Sequence, residues 1–392
     1  MEGTAGSPIQ QRLRHIIPAI VCLFASLHPQ GARAEDLAGI TGEKYRVSVR
    51  HVSPKLISPV EAPLITTNGR LALINDNRHL WWLDAMHLKL EALESTAVAH
   101  ESTWYGPACA HANGFVIAVS DYPDPQKDTE AETPRGGYRA GPSPRGVLIL
   151  DRSGLHRHLP ALSVRSHPPV PSPQSGSTEE SEEPFHFTPP TVFNNLILSC
   201  ARQRDKLMFG AYGALGTADV EHGTMDLVQH DYGLNFNRVP LWIDASGIWF
   251  GINEGGMGGA GLDHLRGSGD ERHYSIRAQE DGDIVVVTAL VRHRGHMMVG
   301  TTHGLFRLDE RTGSFSRLDF RHAWSNAMVT DLVSHQGFLW SFQGGHWLRI
   351  DIRTRHAVRY APAQPTKFEM GRPFGKGWLL SSEHGVWAYR VR

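Results

Sequence analysis

Between Leu64 and Arg392 one hydrophobic pattern recurs seven times: an apolar strand, a tight turn, a second apolar strand ending in small or polar residues, then Gly and a third strand. Two clear copies begin at Thr288-Ala289-Leu290-Val291 and at Thr330-Asp331-Leu332-Val333. They continue through Met297-Met298-Val299-Gly300-Thr301 and Gly304 to Asp309, and through Phe338-Leu339-Trp340-Ser341 and His346 to Asp351. The first turn of each copy falls at Asn68-Gly69, Asn113-Gly114, Arg204-Asp205, Ser246-Gly247, Arg294-Gly295, Gln336-Gly337 and Lys376-Gly377, in steps of 45, 91, 42, 48, 42 and 40 residues. Pairs of the Asn-Gly kind suit two-residue hairpins, because both central positions need positive φ. A repeat of this length made of strands predicts an all-β fold, a seven-bladed β-propeller.

The 91-residue step reads as one blade plus two insertions, and not as an eighth blade. Residues 122–145 are rich in Pro, Gly and charge, and 163–190 contain Pro168-Pro169, Ser175-Gly176-Ser177 and the acidic run Glu179 to Glu183, a composition that cannot bury a core. Between them, Gly146 to Asp151 and Leu155 to Leu159 complete blade 2. Third strands are expected to end at Asp84, Asp151, Asp231, Asp309 and Asp351, where a carboxylate accepts backbone N–H bonds from the following turn. Trp249, Trp340, Trp347, Trp378 and Trp387 lie within the strands and are expected to fill the wedges between sheets. The last copy has three strands, and Tyr45 to Arg50 alternates as a strand should, so this segment is expected to complete the last blade and close the ring.

Composition changes this picture little. A formal charge of −1 over 392 residues offers no global field for nucleic acid, and a single array suits 40% hydrophobic residues and 40 glycines. The N-terminus adds more. Arg12 and Arg14 precede the apolar run Ile16 to Leu27, and Ala32-Arg33-Ala34 supplies a small-x-small site, so residues 1–34 read as a signal peptide cleaved after Ala34. No other stretch could span a membrane, and the expectation is a periplasmic or secreted monomer. Cys109 and Cys200 sit five residues before the turn marks Gly114 and Asp205, at equivalent places on the inner strands of neighbouring blades. An oxidising compartment permits a disulfide between them. Inner strands of separate blades usually diverge beyond the roughly 7 Å limit on Cα separation, so two buried thiols are expected.

In a four-stranded up-and-down blade the A–B and C–D turns emerge on one face, the B–C loops and D-to-next-A connections on the other. Tyr122 to Arg145, Ala214 to Gly223 and Gly255 to Gly261 read as B–C loops and His167 to Pro184 as a D–A connection, which places all the long pieces on one face, around blades 2 to 4. Loops presented by a rigid scaffold carry function, so this face is the expected binding face for a small molecule, glycan or protein. The candidate ligand-binding residues around its mouth are Asp76, Asp121, Tyr212, Glu254, His303, Gln343, Glu383 and His384, which offer carboxylates, imidazoles and a phenol. The alternative is a lyase or hydrolase acting on a carbohydrate or lactone there, with a carboxylate and His303 or His384. Gly256 to Gly261 matches G-x-G-x-x-G, but strand-like Leu262-Asp263-His264-Leu265 follows where a nucleotide site needs a helix. No G-x-S-x-G, H-E-x-x-H, paired C-x-x-C or EF-hand loop occurs. No cofactor and no structural metal are expected.

The phrase from Met297 to Leu318, Met-Met-Val-Gly-Thr-Thr-His-Gly-Leu-Phe-Arg-Leu-Asp-Glu-Arg-Thr-Gly-Ser-Phe-Ser-Arg-Leu, resembles the propeller repeat of two-component-regulator periplasmic sensors, with fainter echoes at Ile248 to Gly251 and Gly385 to Trp387. The resemblance implies a seven-bladed ring and, in sensors, periplasmic ligand detection. The immunoglobulin-like module, membrane helix and kinase of the sensor pattern do not follow in this sequence. The repeat is also similar in style to quinoprotein-type repeats, without support for a quinone cofactor.

Overall fold

The structure is a computed structural model describing residues 35–36, 43–47, 50–51, 62–69, 71–76, 79–84, 88, 90–93, 103–121, 143–159, 163–165, 197–203, 206–211, 214–230, 241–254, 259–266, 270–276, 285–319, 323–354, 356–362 and 366–390. The proposed signal peptide lies outside them. No helix among the described residues is long and apolar enough to cross a membrane.

Seven small antiparallel sheets stand in a ring, a seven-bladed β-propeller. In order from hub to rim, strands A to D of blade 1 are Leu64–Asn68, Leu71–Asn75, Leu80–Asp84 and Leu90–Ala92, and those of blade 2 are Thr103–His111, Gly114–Asp121, Ser143–Asp151 and Gly154–Leu159. Blade 3 comprises Ile197–Gln203, Lys206–Ala211, Ala214–Asp219 and Thr224–His230, and blade 4 Leu241–Asp244, Gly247–Glu254, Gly259–Arg266 and Glu271–Ser275. Val287–His293, His296–Thr301, Gly304–Asp309 and Ser314–Asp319 form blade 5; Val329–His335, Phe338–Gln343, His346–Asp351 and His356–Pro362 form blade 6. Met370–Phe374, Gly377–Ser382 and Gly385–Arg390 begin blade 7, and Arg50–His51 finishes it. The inner strands touch one another in sequence all the way round, Met370–Phe374 meeting Leu64–Asn68.

Each A–B turn has two residues and falls within one residue of its expected mark. At the turns of blades 5 and 6 both central residues take positive φ, Arg294 at 50° with Gly295 at 84°, and Gln336 at 50° with Gly337 at 76°, the backbone a tight primed turn demands. Side-chain hydroxyls then stitch neighbouring inner strands: Thr66 donates to Ala108 O (3.3 Å), Thr288 to Val329 O (2.5 Å) and Thr330 to Glu369 O, while Ser381 on strand B of blade 7 donates to Pro63 O (2.5 Å). Trp249, Trp340, Trp347 and Trp378 are buried and Trp387 is half-buried, packed in the wedges as their pattern predicts.

The N-terminal chain closes the ring, though not with the whole of Tyr45 to Arg50. Glu35–Asp36 pairs in parallel with Leu318 and Asp319 at the rim of blade 5, Glu43–Val47 pairs in parallel with Val358 to Pro362 at the rim of blade 6, and only Arg50–His51 joins blade 7, antiparallel to Trp387 and Ala388. The alternation of Tyr45 to Arg50 fits any uncovered rim strand, and a chain running tangentially covers each unpaired edge in turn. Ser163–Arg165 does the same for blade 3, parallel to Thr224 to Asp226.

Three further expectations give way. Ala214 to Gly223 is not a B–C loop: Ala214–Asp219 is strand C of blade 3, paired on both sides, and the turn after it opens on the opposite face. The carboxylate that ends this strand is therefore Asp219, which accepts from Glu221 N (3.2 Å) and His222 N (3.1 Å); Asp231 lies outside the described residues. Its counterparts Asp151, Asp309 and Asp351 accept from the backbone two residues on, as their type predicts. Lastly, Cys109 and Cys200 form a disulfide with Cα atoms 5.8 Å apart. Divergence of blades is a property of their rims, and inner strands A of blades 2 and 3 lie in contact at the hub, where sheets converge.

Candidate functional site

Strand B of every blade runs away from the tight A–B turn, so all seven B strands end on one face, at Asn75, Asp121, Ala211, Glu254, Thr301, Gln343 and Ser382. Strand D ends on that face too. Seven of the eight residues singled out from the sequence, all but Tyr212, terminate a B strand or follow one, which places them around this rim. Tyr212 and the side chains of Asp121 and Glu254 lie outside the described residues.

Where the rim is described, the last residue of strand B braces it. Asn75 donates through Nδ2 to Tyr105 O (3.0 Å) and Gly106 O (2.8 Å) of the next blade. Thr301 Oγ1 donates to Gly304 O (2.9 Å) and accepts from His303 N (3.0 Å). Ser382 Oγ donates to Gly385 O (3.3 Å) and accepts from His384 N (3.2 Å) and Trp387 Nε1 (3.1 Å). Gln343 belongs to this bracing set: it is fully buried and its Nε2 donates to Ser325 O (2.7 Å). Asp76 is buried as well and accepts from His79 N at 2.7 Å, with His79 Nδ1 at 3.3 Å. A buried polar side chain keeps its place by being hydrogen-bonded, so these groups hold the rim in shape.

The rim turns place the other candidates outward. His303 is half-buried, with Nδ1 2.9 Å from Thr302 Oγ1. Glu383 and His384 are exposed at the B–C turn of blade 7, with Oε1 3.5 Å from Nε2. Two imidazoles and a carboxylate at solvent can hydrogen-bond a polar ligand. Among the described residues no group of three or more His, Cys, Asp or Glu stands together as a metal site.

A second polar feature at the hub was not legible in the sequence. Asp331 on strand A of blade 6 accepts from Arg372 Nη1 and from Gly371 N (3.2 Å) on strand A of blade 7. Burial pushes the Asp331 carboxyl up, against the pull of Arg372 and two backbone N–H groups. One strand pattern contains each residue, and only the meeting of two blades joins them. Its chemistry is that of a clamp.

No protein-family model matches the chain, and no curated protein matches it in sequence. Its fold is shared with solved structures. The extracellular domain of a hybrid two-component system of B. thetaiotaomicron superposes with a TM-score of 0.54 at 12% identity over 88% of this chain and 40% of that one. A catalytically inactive virginiamycin B lyase of Staphylococcus aureus with quinupristin gives a TM-score of 0.57 at 10% identity, covering 88% of this chain and all of the lyase. YCF48 bound to a D1 peptide gives 0.55 at 11% identity, over 92% and 98% of the two chains. The chain thus spans about 40% of the length of the sensor domain it matches. At these identities the likeness is one of fold: the β-propeller, shared with two-component sensor ectodomains.

Proposed function

We propose that the chain works outside the cytoplasm as a propeller that binds a small molecule, glycan or protein partner through the face where the B–C and D–A connections emerge. One observation carries this reading. Every A–B turn has two residues and the C–D connections of blades 1 to 6 have five or fewer, whereas the pieces 122–142 and 166–196 both leave from the opposite face. A fold that holds one face short and spends its extra chain on the other has a presenting side. His303, Glu383 and His384 stand on that side, together with the strand ends Asp121 and Glu254. The Cys109–Cys200 bridge supports export, because such bonds persist in oxidising compartments. So do the leader-like residues 1–34 and the extracellular origin of the sensor domain of the same fold.

A thermal-shift screen of metabolites and oligosaccharides on the chain from Glu35 onward tests it, since a ligand that prefers the native form raises the melting temperature. Replacing 122–142 by a short Gly-Ser turn should leave the unliganded Tm in place and abolish the shift. A hit whose shift survives that replacement and also survives His303→Ala with His384→Ala would place binding elsewhere and sink the proposal.

A further inference from the structure

The outer strands of blade 4 pair so that Asp263 lies opposite His273 and Gly261 opposite Ser275. Directly paired residues share a face of the sheet. That face also carries Ile248, Phe250 and Leu265, which pack with Leu215 of blade 3, so all three polar residues look into the wedge between blades 3 and 4. There Asp263 Oδ1 is 2.6 Å from His273 Nδ1, and His273 Nε2 is 3.0 Å from Ser275 Oγ. Asp263 is buried, the His273 side chain is 49% exposed and Ser275 is exposed. One imidazole therefore holds a sheltered carboxylate on one nitrogen and a solvent-facing hydroxyl on the other. A carboxylate on Nδ1 fixes the tautomer that leaves the Nε2 lone pair pointing at the hydroxyl, and it stabilises the imidazolium once the proton moves. Such a constellation is recognised by geometry and not by position in the chain.

The surroundings are shaped for it. Gly261 has no side chain where the ring lies: a Cβ there would sit 2.3 Å from His273 Cε1 and 3.0 Å from its Nε2. Phe250 flanks Asp263 on the inner side as its partner in strand B, which leaves the carboxylate between an aromatic ring and the imidazole. Ser275 is the last residue of strand D, so the hydroxyl stands at the rim of the face that carries the long connections.

We propose that Asp263, His273 and Ser275 form an acyl-transfer site that hydrolyses short-chain carboxylic esters, such as O-acetyl groups presented from solvent. Ser275 Oγ attacks the ester carbonyl carbon as its proton passes to His273 Nε2. The tetrahedral adduct breaks its bond to the leaving alkoxide, which takes that proton from the imidazolium. Water then attacks the acyl-serine, giving its proton to His273; the acid departs and Ser275 Oγ is reprotonated. Ser275 and His273 are the catalytic residues, and Asp263 is a positioning residue. The exposed hydroxyl at a strand end suits a short acyl group on a larger alcohol presented from solvent. Burial pushes the Asp263 carboxyl up to about 7, against the pull of His273 and with a push from Glu271, two titratable groups that act on it from strand D. Turnover therefore rises as pH increases through about 7, where the carboxylate forms.

The test uses the full chain with a fluorophosphonate probe and with p-nitrophenyl acetate. The expected result is one labelled peptide, modified at Ser275, with labelling abolished by Ser275→Ala and cut by about 10²-fold or more in His273→Gln, while the Tm of both variants stays at the wild-type value. Gly261→Ala should displace the imidazole and suppress labelling in a folded protein. Asp263→Asn should lower kcat with little change in KM and remove the rise with pH, a split that a merely structural carboxylate would not give. Labelling elsewhere, no labelling of a folded wild type, or ester hydrolysis undiminished in Ser275→Ala would overturn the proposal. Shortening 122–142 leaves this readout unchanged, so its failure is separable from failure of the binding-face reading.

Discussion

The wedge between blades 6 and 7 and the wedge between blades 3 and 4 follow one plan and are filled differently. The first holds Trp340, Phe342, Trp347, Phe368, Trp378 and Leu380 as a buried cluster, with Tyr360, Trp387 and Tyr389 packed on it. Rings meet at 4.6 Å between Trp340 and Trp378 and at 4.8 Å between Trp347 and Tyr360. The second holds, among the described residues, Leu215 and Phe250 as its fully buried pair, with Leu241, Ile248 and Leu265 beside them and polar Asp263 and His273 on the same side of the sheet. Aromatic side chains bury 150–250 Å² each, so one wedge is locked by apolar area and its counterpart leaves room for chemistry. The disulfide stands in the next gap, between blades 2 and 3. The covalent tie thus lies beside the thin wedge, and the rings lie across the hub from it.

The sharpest way to break this contrast is to remove the tie. Cys109→Ser with Cys200→Ser opens a loop spanning 91 residues, which in the chain-entropy account costs about 4–5 kcal/mol. Urea unfolding should show that loss, and amide exchange should rise first in blades 2 and 3; equal loss of protection in blades 6 and 7 would contradict the division. Trp347→Ala attacks the opposite wedge and should cost about 3–5 kcal/mol, with the near-ultraviolet circular dichroism of the ring cluster reduced. Gly300→Ala is a smaller probe of the hub between blades 5 and 6. Its Cβ would meet Val329 Cγ1 at 2.6 Å, and overpacking of this kind costs about 1–3 kcal/mol; an unchanged Tm would show that the blades slide apart freely. The last test is one of pH at the thin wedge. The folded pKa of Asp263, about 7, lies above its ordinary value, so the folded state binds the extra proton and this group's contribution is full below pH 4 and lost as pH rises through 7. Relative to Asp263→Asn, the wild type should lose stability between pH 4 and 7 and run parallel above it, as read from denaturant midpoints at matched pH.

Much of the ring was written in local pattern, because each turn and each strand is a local decision. Gly and its partners at the A–B turns satisfy a backbone requirement that one hairpin imposes, so all seven marks could be read without knowing what lay beside them. Strand C of blade 3 could not: Ala214-Leu215-Gly216-Thr217-Ala218-Asp219 carries little apolar weight and three small residues, and what makes it a strand is its pairing on both sides. The same limit hid the site chemistry. The position of Gln343 at a strand end was legible, but its burial against Ser325 depends on a connection from the preceding blade. Asp263 and His273 are ten residues apart, and only the register of two strands makes them neighbours. The spacing of Cys109 and Cys200 gave equivalent positions, while the distance between them belongs to the convergence at the hub.

The stretch from Glu35 to His51 lays successive pieces along the rims of blades 5, 6 and 7. These residues leave the ribosome before any blade exists, so three sheets made late wait for a partner made early, and the circle can be sealed only when both ends are present. Peeling the same stretch would bare two rim strands and shorten a third sheet in one event, turning three protected margins into templates for another chain to add to.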